Sequence, residues 1–271
     1  MGTEFMQFGI ITPVFEGCLD SLELLYQDLC GQFHQKWTWM LCSNGYSAKL
    51  DSFASGKKSK LLEDHLNDKA DIIYTYTPFE ETPDFNSLLI NVGKRRDFCI
   101  KSIEADYLFL FDADAKILDP NMFRYLEQFL THKQGDICIY KIQHELKVLP
   151  TFPVEYCDID LLNFVVKDSL AKKVGYPTDL NLEEGMNDYR YFTRVFQAAE
   201  EQFLFIDKIF AYHNGNNQGN YVSMMEMYYN SLPQTFYNLI YKLYYWYHFG
   251  KEKKWSKIIT DSIRYLKFHL N

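Results

Sequence analysis

The sequence holds no CxxC pair, no excess of basic residues, no internal repeat and no low-complexity tract. Its six cysteines, at positions 18, 30, 42, 99, 138 and 157, are scattered, which argues against a paired-cysteine metal or redox motif and for reduced, buried thiols. Lysine and arginine number 28 against 36 aspartates and glutamates, so at a net charge of −8 the chain lacks the basic footprint that nucleic-acid binding needs. No secretory leader is read at the start, because the apolar run 8–14 is short, has no basic lead and meets polar Glu16 at once. The opening MGTEF precedes a second methionine, Met6, and reads as vector-derived residues 1–5. These absences leave one large domain with a smaller appendage, placed in the cytoplasm. Aromatic side chains, by contrast, are plentiful. With 21 tyrosines and 22 phenylalanines in 271 residues, the chain has the means for an aromatic surface, a stacking site or a membrane-facing helix.

Along the chain, strand-like and helix-like patterns alternate. Residues 7–14 (QFGIITPV) read as a first strand broken by Pro13, and 19–33 as an amphipathic helix with Leu22, Leu25, Leu29 and Phe33 on one face. A second strand at 37–42 ends in the turn Ser43-Asn44-Gly45; 47–68 is polar helix and loop; 71–76 is a third strand. A helix at 85–103 leads to a fourth strand at 107–111. Four such alternations predict an α/β domain with a parallel sheet and crossover helices. Beyond them the reading gives a helix at 122–130, strands at 137–142, 161–166 and 203–206, and a helix at 188–199. The domain is expected to span 6–219, up to the loop-forming run at 215–220, with two long helices filling 220–271.

One stretch carries chemistry. In LFLFDADAKILDP (108–120) an uncharged, buried-strand pattern ends in Asp112 and Asp114, one residue apart, and Pro120 reads as a helix start. The carboxyl end of a central strand is where open α/β sheets bind ligands. Two carboxylates so close repel each other unless a cation or proton lies between them.

Several segments, in order, resemble family 2 glycosyltransferases of the GT-A fold, with a Rossmann-like nucleotide-binding sheet. ITPVFEG (11–17) is similar to the family's TPVYN-type strand end, and CSNGYS (42–47) stands where it has DDGS. KRRDFCIKSIEADYLFLFDAD (94–114) resembles ARNxGIxxAxGEYIxFLDAD, with Arg96 at the family arginine's distance from Asp112. NDYRYFTR (187–194) resembles EDxxLxxR, which supplies a catalytic base, and AYHN (211–214) a late segment that can give a histidine to the metal.

The resemblance implies an inverting, metal-dependent enzyme that moves a sugar from a nucleotide-sugar donor, a UDP-sugar first, to a hydroxyl on a glycan or lipid-linked acceptor. Thr12, Pro13, Val14, Phe15, Glu16, Ser43, Asn44, Arg96, Asp112, Ala113 and Asp114 would border the donor, and Asp112, Asp114 and His213 would hold Mn²⁺ or Mg²⁺. Arg96 could equally be structural, pairing with a carboxylate near the sheet end. Asp188 would be the base, kept ionised by a helix start that lowers its pKa; Glu183 and Glu184 are its rivals. Departures include Asp97 for the family's asparagine and Asn187 for its glutamate.

Two other readings compete. A haloacid-dehalogenase-type phosphatase also ends a strand in D-x-D, but on its first strand and followed by threonine, whereas Ala115 and Lys116 follow here. A non-catalytic nucleotide-sugar-binding protein would need neither Asp114 nor Asp188. The segment 236–268 mixes aromatic, aliphatic and lysine residues and is too polar to span a bilayer. It reads as helices packed on the core or a second subunit, or as an interfacial helix reaching a lipid-linked acceptor at the inner membrane face.

Overall fold

The computed structural model describes residues 5–34, 36–64, 66, 70–144, 147–150, 159–181, 187–199 and 202–213. The expected helices of 220–271, the loop at 215–220, Cys157, Glu183 and Glu184 lie outside them. Among the described residues nine strands form one sheet, in the order β3 (Ala70–Thr77), β2 (Trp37–Asn44), β1 (Phe8–Val14), β4 (Tyr107–Leu110), β8 (Phe164–Lys167), β6 (Ile137–His144), β9 (Phe203–His213) and β5 (Lys116–Ile117), with β7 (Lys147–Leu149) paired to β6. The first half winds as expected. β1 (Phe8–Val14), β2 (Trp37–Asn44), β3 (Ala70–Thr77) and β4 (Tyr107–Leu110) are parallel. They are joined by α1 (Leu19–Cys30), α2 (Ala48–Glu63) and α3 (Phe85–Ser102).

The second half mixes directions. β8 (Phe164–Lys167) runs antiparallel to both β4 and β6 (Ile137–His144), β9 (Phe203–His213) runs parallel to β6, and β5 (Lys116–Ile117) closes the far edge against β9.

Side chains alternate between the two faces of the sheet, as the period of two demands. Phe8, Ile10, Trp37, Trp39, Phe109 and Tyr140 point to one core, which α1, α2 and α4 (Met122–Lys133) cover. Ile11, Met40, Cys42, Leu108, Leu110 and Ile139 point to the other, covered by α3, α5 (Asp168–Val174) and α6 (Asn187–Ala198). The result is a three-layer α/β/α unit. Among the described residues no helix is long and apolar enough to cross a membrane.

Several local expectations are corrected. Pro13 does not break β1, because its partner β4 stops at the Ile11–Leu110 pair and leaves no ladder bond there for a proline to miss. Pro120 does not begin α4; Asn121 caps it and Met122 is its first residue. α1 ends at Cys30, since Gly31 follows, and Phe33 is exposed. The strand read over 161–166 is a 3₁₀ turn at Leu161–Asn163 followed by β8. β9 runs seven residues beyond Ile206, and β5, β7 and α5 are too short to show a period in sequence.

Candidate active site

Polar side chains from α3, the end of β4 and the start of α6 meet at the carboxyl edge of the sheet. The cluster follows from α3, whose buried side changes character along the helix. Cys99 and Ile100 are apolar and buried, while one turn earlier Arg95 and Arg96 are buried too. Arg96 Nη2 donates to Asp112 Oδ1 at 2.5 Å, just beyond β4, and Nη1 donates to Asp188 Oδ1 at 3.1 Å. The Tyr176 hydroxyl accepts from Arg96 Nη1 at 3.0 Å and itself donates to Asp188 Oδ1. Arg96 thus joins the first aspartate of D-x-D to the start of α6, which is the structural pairing the sequence allowed for it.

Asp188 keeps about two fifths of its side-chain surface open (40%) although protein surrounds it. That surrounding mass desolvates the carboxylate and raises its pKa above the ordinary 3.8, with the Asp112 and Asp160 charges adding to the rise and Arg96 opposing it. The expected lowering is therefore corrected: burial raises the Asp188 pKa despite Arg96 and Tyr176. Both hydrogen bonds fall on Oδ1, so among the described residues Oδ2 accepts none.

Tyr176 is a site residue that sequence reasoning missed. Gly175, at φ +68°, ends α5 and turns the chain so that Tyr176 N donates to Asp97 Oδ1 at 3.0 Å. A Cβ on Gly175 would come within 3.1 Å of that oxygen. The departure to Asp97 thus holds the Tyr176 turn against α3. Nothing in the local pattern marks Tyr176, but the run Lys172-Lys173-Val174-Gly175 carries a helix-stop signal.

The D-x-D turn is strongly anionic. Burial and the neighbouring Asp112 charge push the Asp114 carboxyl up to about 6, with His213 opposing and Asp160 adding to the rise. His213, at the end of β9, pairs through Nδ1 with Asp160 Oδ2 at 3.1 Å. Burial disfavours its charge, but the Asp160 hydrogen bond and the Asp160, Asp112 and Asp114 charges raise it to about 9. Asp160 is the second residue the sequence did not offer.

Hard carboxylate oxygens with one imidazole suit Mn²⁺ or Mg²⁺, and the surplus negative charge is what a cation would relieve. The donor set fits in kind. Among the described residues no three such side chains stand in ligating geometry; Asp112 Oδ1 pairs with Arg96 and His213 Nδ1 with Asp160.

The other expected residues divide by what they present. Thr12 is fully buried and its hydroxyl accepts from Trp39 Nε1 at 3.0 Å, so its side chain supports the sheet. Ser43 Oγ donates to the Gly45 carbonyl at 2.6 Å and meets the Tyr74 hydroxyl at 2.8 Å. Asn44 exchanges two hydrogen bonds with the Glu80 backbone, at 2.7 and 2.9 Å. Glu16 caps this edge by accepting from Ser47 Oγ and pairing with Lys49. Val14 is buried, Pro13 and Ala113 partly so, and Phe15 is exposed at the rim. Beside them Tyr46 and Tyr76 stand half exposed with ring centres 5.6 Å apart.

No protein-family profile and no curated protein matches the sequence. Solved structures do. S. aureus TarS 1–349 in complex with UDP aligns at TM-score 0.57 and 14% identity, over 77% of this chain and 60% of that one. The same protein with UDP-GlcNAc gives 0.54 and 15%, over 77% and 58%. The mannosyltransferase PcManGT from Pyrobaculum calidifontis, in complex with GDP-Man and Mn²⁺, gives 0.55 and 12%, over 83% and 61%. The chain spans about three fifths of the length of these proteins. At such identities the likeness speaks for architecture, and the architecture of this chain is the GT-A fold.

Proposed function

We propose that the chain is an inverting glycosyltransferase that moves a sugar from a nucleotide-sugar donor to a hydroxyl group of a glycan or lipid-linked acceptor. The observation that carries this reading is the state of Asp188, with one carboxylate oxygen fixed by Arg96 and Tyr176 and the other, among the described residues, unengaged. A base must be oriented yet have a lone pair to spend, and a carboxylate with a raised pKa takes a proton more readily than an ordinary one. The ligands of the solved relatives, UDP, UDP-GlcNAc and GDP-Man, support a nucleotide sugar as donor, a UDP-sugar first.

In this reading the acceptor oxygen attacks the anomeric carbon as the bond from that carbon to the diphosphate breaks. Asp188 Oδ2 takes the hydroxyl proton, and the diphosphate leaves with the electron pair. Arg96 holds Asp112 and Asp188 at a fixed separation and keeps Asp188 ionised against its desolvation. Asp114, Asp112 and His213 would hold Mn²⁺ or Mg²⁺, which when bound neutralises charge on the leaving group. Tyr176 orients the base, and the strand ends at 12–16 and 43–44 border the nucleotide.

Incubating the protein with a panel of nucleotide sugars, with Mn²⁺ and with chelator, tests the reading. Metal-dependent release of nucleoside diphosphate and a product of inverted anomeric configuration by NMR are expected. A product of retained configuration overturns the single-displacement reading, and bound donors that never turn over overturn the catalytic one.

A further inference from the structure

Arg95 is the most unusual charge among the described residues. Its residue is 6% exposed, yet among the described residues its side chain makes no hydrogen bond and no ion pair, and its Nε is sealed without a partner. Arg96 beside it also has a sealed Nε, but both its terminal nitrogens are spent on carboxylates and a tyrosine. Burying a guanidinium without an acceptor is costly, and the strain shows in a pKa lowered chiefly by desolvation.

Its position says what could satisfy it. Successive helical residues diverge by about 100°. Arg96 therefore reaches the end of β4, while Arg95 leaves α3 on a different side, and α3 itself packs over β1 and β2. In the order β3-β2-β1-β4 the ends of β2 and β4 are two strands apart, roughly 10 Å. A nucleotide whose diphosphate lies at Asp112 and Asp114 would cross β1 and bring its base over β2. There the Ser43 hydroxyl and Asn44 amide are already engaged, and the Tyr46 and Tyr76 rings offer stacking surfaces.

We infer that Arg95 is a base-reading residue, donating from its terminal nitrogens to a ring carbonyl or unprotonated ring nitrogen of the donor nucleobase. A guanidinium has five donors and no acceptor, so it selects bases by the acceptors they present. The inference rests on the nucleotide-sugar reading above.

The test is calorimetric titration of the whole protein with UDP, CDP, GDP and ADP, and with inorganic pyrophosphate, all with Mn²⁺. The wild type should rank the four nucleotides. Arg95→Met should weaken the best by about ten- to a hundredfold, the range for a hydrogen bond from a charged donor, and flatten the ranking, with pyrophosphate unchanged. Arg95→Lys, which keeps the charge and loses the fork, should narrow the ranking less and serves if the methionine variant does not fold. Variants that keep the wild-type ranking overturn the inference alone, and so does an equal loss for pyrophosphate. A wild type that binds none of the nucleotides overturns the glycosyltransferase reading with it.

Discussion

Arg96 spends its two terminal nitrogens on Asp112, Asp188 and Tyr176, so each partner can be probed by what it alone contributes. Asp188→Asn keeps shape and hydrogen bonding while removing the basicity. It should lower kcat by about a hundred- to ten-thousandfold, with donor affinity in calorimetry held. Tyr176→Phe removes a hydrogen bond that lowers the Asp188 pKa. The acid limb of the kcat profile should then move to higher pH, with kcat at neutral pH down by about tenfold. Asp114 answers to a different variable. It holds its proton to about pH 6 in the fold but only to about 3.8 in the unfolded chain, so the native state binds more protons between these values. Stability from this group therefore falls as pH rises through that window. Asp114→Asn, neutral throughout, should remove the slope and raise the cation-free melting temperature at pH 7 by a few degrees. Because Mn²⁺ competes with the same proton, its affinity in the wild type should climb from about pH 5 to 7, read by titration.

At the scale of elements, α3 positions the site because it lies unusually close to the segment leading into α6. A Cβ on Gly93 would stand 2.4 Å from the Pro177 carbonyl oxygen and 3.4 Å from Asn187 Nδ2. A backbone oxygen cannot swing aside as a long side chain can. Gly93→Ala, although a better helix former, should cost about 1–3 kcal/mol in urea unfolding, and it should lower kcat by carrying Arg96, one turn on, away from Asp188. The first four strands were legible in sequence because each is a run rich in aromatic and branched apolar residues, and in β1, β2 and β4 parallel pairing buries nearly every position. The short elements of the second half were not. β5 spans two residues and α5 seven, lengths at which neither period can be counted. In the site, Asp112 and Asp188 stand out by motif, whereas Tyr176 and Asp160 do not: their roles arise from contacts to residues far away in sequence, such as the 80-residue span from Arg96 to Tyr176. Arg95 escaped notice for another reason, since no pattern records that a charge will be buried without a partner.

Over the whole molecule, ligand binding and folding share one equilibrium. A donor nucleotide present at about a hundred times its Kd stabilises the native state by about 2.7 kcal/mol, which raises the melting temperature of a domain this size by several degrees. Scanning calorimetry with nucleotide alone, Mn²⁺ alone and both together should show a shift for the pair larger than the sum of the two, and chelator should abolish the excess. The sheet order also has a consequence in time. Arg96 meets Asp112 across only 16 residues but meets Asp188 across 92. At about 5–20 residues per second, the ribosome releases Asp188 some 5–20 s after Arg96. During that interval β1 to β4 can already be wound, with the D-x-D turn at their edge and Asp188 still unmade. In the reading proposed above, a nascent chain could grip a nucleotide well before it could use one, which makes the cell's own nucleotide pool a ligand for the half-built fold.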